Sequence, residues 1–138
     1  MKEKIKNALL RLKEALGSDA SADEIPCERK LVNRFDAWVN SRGYCKTDES
    51  IQELSGRLGM SRFELSWVSR KIYGDNFTSL RKRLRVTEAA RLLLEDRNIP
   101  ISLIAEKVGI PDRTNFRRQF VEVFGMTPQE WRDRHRKL

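Results

Sequence analysis

Four cations, Arg81, Lys82, Arg83 and Arg85, lie within five residues of the stretch FTSLRKRLRVTEAARLLLEDRN. Lysine and arginine at this density suit a polyanion: they neutralise phosphates and orient a duplex without reading its sequence. The same residues on a solvated spacer helix would only solubilise, so their meaning depends on what flanks them. The stretch predicts a helix capped by Thr78. Leu80, Leu84, Thr87, Arg91 and Leu94 fall near one another, flanked by Ala90 and Leu93, and the four cations take the outer positions. About nineteen residues at ~1.5 Å each span about 28 Å. That length is close to the ~34 Å between successive major-groove faces of DNA.

Other chemistries find little support. The single histidine, His135, lies in a basic C-terminal stretch, and there is no acid pair, glycine-rich phosphate loop or Cys/His cluster. An enzyme is not expected, nor a cofactor or metal. Cys27 and Cys45 fit no ligand spacing and read as structural or incidental thiols in a reducing cytosol. No run reaches the roughly 18–20 apolar residues of a membrane span, and MKEKIKNALLRLKEALG lacks a signal peptide's apolar core. The expected compartment is the cytoplasm, with nucleoid association when DNA is bound, and no membrane partner. The net charge of +8 over 138 residues is uneven. Residues 1–49 hold ten Lys/Arg against nine Asp/Glu, whereas residues 50–138 hold eighteen against eleven, a surplus of +7. The excess therefore sits where a polyanion-binding surface would need it.

The elements that flank the basic helix are two copies of one pattern. Ser50 to Gly74, SIQELSGRLGMSRFELSWVSRKIYG, lies on Pro100 to Gly125 when shifted by fifty residues. Ile51 falls on Ile101, Leu54 on Ile104, Ser55 on Ala105, Leu58 on Val108 and Gly59 on Gly109. One extra residue then makes the shift fifty-one, so that Leu65 falls on Phe116 and Gly74 on Gly125. Each copy predicts a helix-turn-helix: a short amphipathic helix, a glycine able to take the left-handed turn, a hydrophobe (Met60, Ile110) and a cap (Ser61, Asp112). The small Ser55 or Ala105 allows two helices to cross steeply at a short turn.

Along the rest of the chain, Ile5, Leu9, Leu12 and Leu16 form a helical stripe over residues 2–16, followed by a small, acidic linker ending at Pro26. Leu31, Val32, Phe35, Trp38 and Val39 share one face of a helix over 27–41, with Gly43 as its stop. Asp48 or Ser50 caps the first helix of the repeat. At the C-terminus Thr127 caps a short helix with Pro128 at its first position and Glu130 three residues after the cap. Trp131 is its expected anchor, and Arg132, Arg134, Arg136 and Lys137 form a basic tail for phosphate or solubility. The expected fold is all-α: an N-terminal helix and linker (1–26), a first helix-turn-helix unit (27–76), a linker helix (77–98) and a second unit with a C-terminal helix (99–138).

From about Leu31 to Arg136 the chain resembles the DNA-binding domain of AraC/XylS-type transcription regulators. The specific part is RVTEAARLLLEDRNIPISLIAEKVGIPDRTNFRRQFVEVFGMTPQEWR. It holds an Arg-x-x-x-Ala-x-x-Leu-Leu linker, Ile-Ala, Val-Gly before a hydrophobe, the pair Phe116 and Phe120, and Phe-Gly-x-Thr-Pro followed by an aromatic and Arg. The resemblance implies two helix-turn-helix units on one long helix, placing two recognition helices in adjacent major grooves of double-stranded DNA. By position, the first recognition helix is Ser61 to Tyr73, with Arg62, Phe63, Ser66, Trp67 and Arg70 outward. The second is Asp112 to Val123, with Arg113, Thr114, Asn115, Arg117 and Arg118 outward. Their chemistry agrees: Arg pairs with guanine, Asn with adenine, and Thr or an aromatic group meets a thymine methyl. Arg70, Lys71, Arg81, Lys82, Arg83 and Arg85 suit phosphate.

Two departures stand out. Ser69 occupies a usual core-aromatic position, the counterpart of Phe120, and Trp67 is large for a base reader. Either the first unit packs differently, with Trp67 covering the gap, or it grips DNA less specifically. Many family members also carry a sensing domain, which these first thirty residues could not form. A stand-alone regulator and a fragment of a larger sensor both remain open. The competing readings are a module that docks RNA polymerase or another partner, and a nonspecific basic protein. A specificity ratio over random duplex separates them.

Overall fold

The computed structural model describes residues 25–135, so the predicted helix over 2–16, most of the linker, and Arg136 and Lys137 lie outside the described residues. Among those described there are seven α-helices and no strand. They are α1 (Ile25–Asn40), α2 (Ile51–Leu58), α3 (Arg62–Tyr73), α4 (Phe77–Glu95), α5 (Ile101–Lys107), α6 (Arg113–Phe124) and α7 (Pro128–Arg134), with a 3₁₀ turn at Gly43–Cys45. The all-α expectation holds. Two compact units divide the chain, and the division falls inside α4: Phe77–Leu80 belongs to unit 1, Arg81 onward to unit 2, together with the Tyr44–Asp48 segment.

In unit 1, α1 and α2 each pack on α3. Helix α1 begins at Ile25, earlier than expected, with Pro26 in its first turn, where the missing N–H costs nothing. Arg42, at φ 58°, is the left-handed residue after α1, rather than Gly43. Gly43 has another role: a Cβ there would stand 2.4 Å from the Trp38 ring. Phe35 and Trp38 are buried, with Phe35 5.2 Å from Trp38, 5.3 Å from Tyr73 and 6.4 Å from Phe77 between ring centroids. Burial pushes the Tyr73 phenol up from its ordinary pKa. Ser69 is fully buried, its hydroxyl donating to the Leu65 carbonyl at 2.8 Å. The aromatic volume missing at Ser69 is therefore supplied by α1. Trp67 is half-buried on α3 and lines an open groove at the surface.

Unit 2 reverses the arrangement. Phe120 is fully buried against Phe116, Phe124 and Trp131, while the helix before its helix-turn-helix presents Val86 and Ala89 to the core. Val86 and Ala89 stand fifty-one residues after Phe35 and Trp38, the same offset as Phe120 from Ser69. Each unit thus holds one bulky layer, contributed from opposite helices, as close packing of a fixed volume requires. Trp131 anchors α7 as expected, its ring tilted against Phe124 at 4.7 Å between centroids and its indole N–H donating to the Ala90 carbonyl at 3.2 Å. Cys45 packs its half-buried thiol on this core, whereas the Cys27 side chain lies outside the described residues.

Helix α4 differs from its predicted stripe. Val86 and Glu88 are buried, and Leu94, expected inside, is exposed. Its cap is Asn76, whose Oδ1 accepts from the Ser79 N–H at 2.9 Å, and not Thr78. Burial wraps most of the helix, so a single-face periodicity could not describe it.

Candidate nucleic-acid interface

The two helix-turn-helix motifs agree bond for bond at their turns. The Met60 N–H donates to the Ser55 carbonyl at 3.1 Å, and the Ile110 N–H to the Ala105 carbonyl at 2.9 Å. Gly59 (φ 64°) and Gly109 (φ 86°) supply the left-handed turn that this closure needs. Ser55 adds a hydroxyl bond to the Met60 carbonyl. Helix α3 is capped by Ser61 in a full capping box with Glu64, and α6 by Asp112, whose carboxylate accepts from the Asn115 N–H at 2.8 Å. Both helices run twelve residues and end on left-handed glycines, Gly74 and Gly125.

A conserved offset reaches further back than the predicted repeat. Arg34 donates to the Gly59 carbonyl at 2.9 Å, and Arg85, fifty-one residues later, lies beside Gly109. Helix α4 therefore stands to unit 2 as α1 stands to unit 1, a relation visible in the sequence only if the offset is carried back across dissimilar residues. In unit 1 the bidentate bond from Arg57 to the buried Glu49, at 3.0 and 2.7 Å, holds the guanidinium pKa above its ordinary value and ties α2 to the segment before it.

On α3 the outward candidates Arg62, Phe63 and Arg70 are exposed, Phe63 to 78%, and Ser66 and Trp67 are half-buried. Phe63, Ser66, Trp67, Arg70 and Lys71 line one open groove of about 530 Å³. On α6, Arg113, Thr114, Arg117 and Arg118 are exposed. Arg113 and Arg117 also border an open groove of about 510 Å³ with Phe116 and the start of α7. Asn115 is placed differently. It is half-buried, and its Oδ1 already accepts from Arg118 at 2.6 Å and from Gln119 at 3.1 Å. Its position matches Glu64, the capping-box residue, rather than a reading position. In this geometry Asn115 positions Arg118.

The phosphate candidates also separate. Lys71 and Lys82 are exposed, Arg81 and Arg83 are half-buried, and Arg85 is turned inward. Its guanidinium donates to the carbonyls of Tyr44 and Lys46, the latter at 2.8 Å, which ties down the turn that meets Gly109. Arg132, expected in a basic tail, is 8% exposed and donates to the Leu93 and Asp96 carbonyls, both at 3.3 Å. It closes the C-terminus of α4, whose last carbonyls have no helical partner. The sequence signal for these two arginines was spacing alone, and basic residues near a helix end read equally well as phosphate ligands. Lys82→Ala is expected to weaken all duplexes alike and to lower the salt slope of binding by about one. Arg85→Ala should instead cost about 1–3 kcal/mol of stability, because two carbonyls lose their donor. Salt titrations of affinity and urea melts of the two variants check both.

Comparison with known proteins agrees with this architecture. Residues 54–134 match the family model described as a helix-turn-helix domain. The chain is 32% identical over 89 residues, 64% of its length, to the RCS-specific HTH-type transcriptional activator RclR of Escherichia coli, covering 31% of that protein. It is 32% identical over 114 residues, 80% of its length, to the HTH-type transcriptional regulator YisR of Bacillus subtilis, covering 38% of it. The chain thus spans about a third of the length of the curated relatives it matches. Among solved structures, the C-terminal domain of AraT, a response regulator from Geobacillus stearothermophilus, superposes with a TM-score of 0.68 at 27% identity, over 76% of this chain and 85% of that one.

Proposed function

We propose that this chain, which belongs to the AraC-type helix-turn-helix family of DNA-binding regulators, binds double-stranded DNA sequence-specifically and regulates transcription, with α3 and α6 as the reading helices. The observation that carries the proposal is the surface of α6. Arg113 and Arg117 are exposed, have no partner among the described residues, and stand one helical turn apart on the same face. A fork of fixed donors in that state is ready to meet guanine O6 and N7. Lys71 and Lys82 supply phosphate contacts that orient the duplex without specifying it.

Selection of bound duplexes from a random library at near-physiological salt tests the reading. Two enriched boxes about one helical turn apart, protected by one monomer, are expected if both units read. A single short box would restrict base reading to one unit, and no enrichment would favour the partner-docking alternative. On the selected site, Arg117→Ala should cost roughly 1–3 kcal/mol, with little loss on random DNA. Equal losses on both would remove Arg117 from the base readers. Asn115→Ala should act more weakly, by releasing Arg118.

A further inference from the structure

Although their backbones match, α3 and α6 carry different chemistry at equivalent positions. Phe63 stands where α6 has Thr114, Ser66 for Arg117, Trp67 for Arg118, Arg70 for Val121 and Lys71 for Glu122. The cations of α6 lie in its first half, whereas those of α3, apart from Arg62, lie at its end. The only acid on α3, Glu64, is occupied by the Ser61 N–H at 2.9 Å.

We infer that the two units read different features of DNA, and that the groove around Phe63 and Trp67 is a site for the C5-methyl groups of thymine. This rests on the proposed role of α3 as a reading helix. In the major groove thymine is the one base that presents a methyl group, whereas guanine, adenine and cytosine are distinguished there by their hydrogen-bonding groups. Laid against the two rings themselves, those groups would lose water and receive no hydrogen bond from the rings. A thymine meets the rings with its methyl, and its O4 is an acceptor for the Ser66 hydroxyl or Arg70. Arg70 and Lys71, one to two turns further along the same face, suit the phosphates that flank such a site. The exposure of Phe63 fits this role, since a side chain left 78% open to water gains from an apolar ligand and contributes little to the fold.

The test uses the full 138-residue chain and the selected duplex, with thymines of each box replaced by deoxyuridine, which removes the methyl and leaves base pairing intact. Each methyl that contacts the groove should cost roughly fourfold in Kd, the scale of one buried carbon. The sensitivity should be confined to one box and vanish in Phe63→Ala. Replacing guanine by 7-deazaguanine in the other box should weaken binding of wild type and Phe63→Ala alike, and spare Arg117→Ala. An enriched motif whose affinity is unchanged by deoxyuridine would overturn this inference and leave the proposed function standing. Failure to enrich any motif would overturn both. Tighter binding to single-stranded oligothymidine than to the duplex would overturn it in favour of a base-stacking platform.

Discussion

Phe35→Ala should lower the stability of unit 1 by about 3–5 kcal/mol, the cost of a large cavity where relaxation is limited. Phe35 has no exposed surface and touches Trp38, Tyr73 and Phe77, three of the aromatic groups on which α1 and α3 depend. Small domains have only about 5–15 kcal/mol in total, so the variant should lose a large share of its stability and melt at a clearly lower urea concentration. The more discriminating experiment exchanges the layers. Ser69→Phe alone overfills unit 1 and should cost roughly 1–3 kcal/mol. Phe35→Val, which copies Val86 of unit 2, empties it. Combined, the two should recover stability, with a coupling energy of about 0.5–3 kcal/mol in a double-mutant cycle. Urea titration followed by tryptophan fluorescence measures each corner of the cycle, and strictly additive losses would rule out volume exchange between α1 and α3.

The second large effect concerns Gly109. At φ 86° a side chain is strained, which costs roughly 1–2 kcal/mol. A Cβ there would also stand 2.6 Å from the Cys45 carbonyl oxygen, a backbone atom held by the adjacent Arg85 bonds. Gly109→Ala should therefore destabilise unit 2 by clearly more than Gly59→Ala destabilises unit 1. Gly59 has φ 64°, but its nearest neighbour is the flexible Arg34 guanidinium at 3.4 Å. The same change should misplace α6 and depress specific DNA binding before the unit melts. Paired denaturation curves decide the matter: equal losses at the two glycines would mean that the approach of Cys45 does not restrict the turn.

Much of this architecture is legible in the residues. The glycines, the small Ser55 and Ala105, and the caps at Ser61, Asp112 and Thr127 act within a few residues of themselves, so spacing alone located both helix-turn-helix motifs. The exposed arginines of α6 followed from the same register. Less legible were residues whose type and spacing do not reveal the bonds they make in the fold. Arg85 and Arg132 look like phosphate ligands, yet each closes backbone carbonyls about forty residues away. Asn115 has the chemistry of an adenine reader, and its Oδ1 accepts from Arg118, a bond that residue type alone does not announce. Ser69 looks like a defect in the first core until α1 is placed against α3.

By itself, then, the sequence determined that there are two helix-turn-helix motifs, where each turns, and which residues of each second helix face outward, because capping, helical period and glycine geometry are local. Only the tertiary structure decided which cations stay exposed and which turn inward, and that Phe35 and Trp38 of α1 fill unit 1 where Phe120 of α6 fills unit 2. A guanidinium bonds whichever carbonyl the fold brings within about 3 Å, and a core fills a fixed volume from whichever helix supplies it.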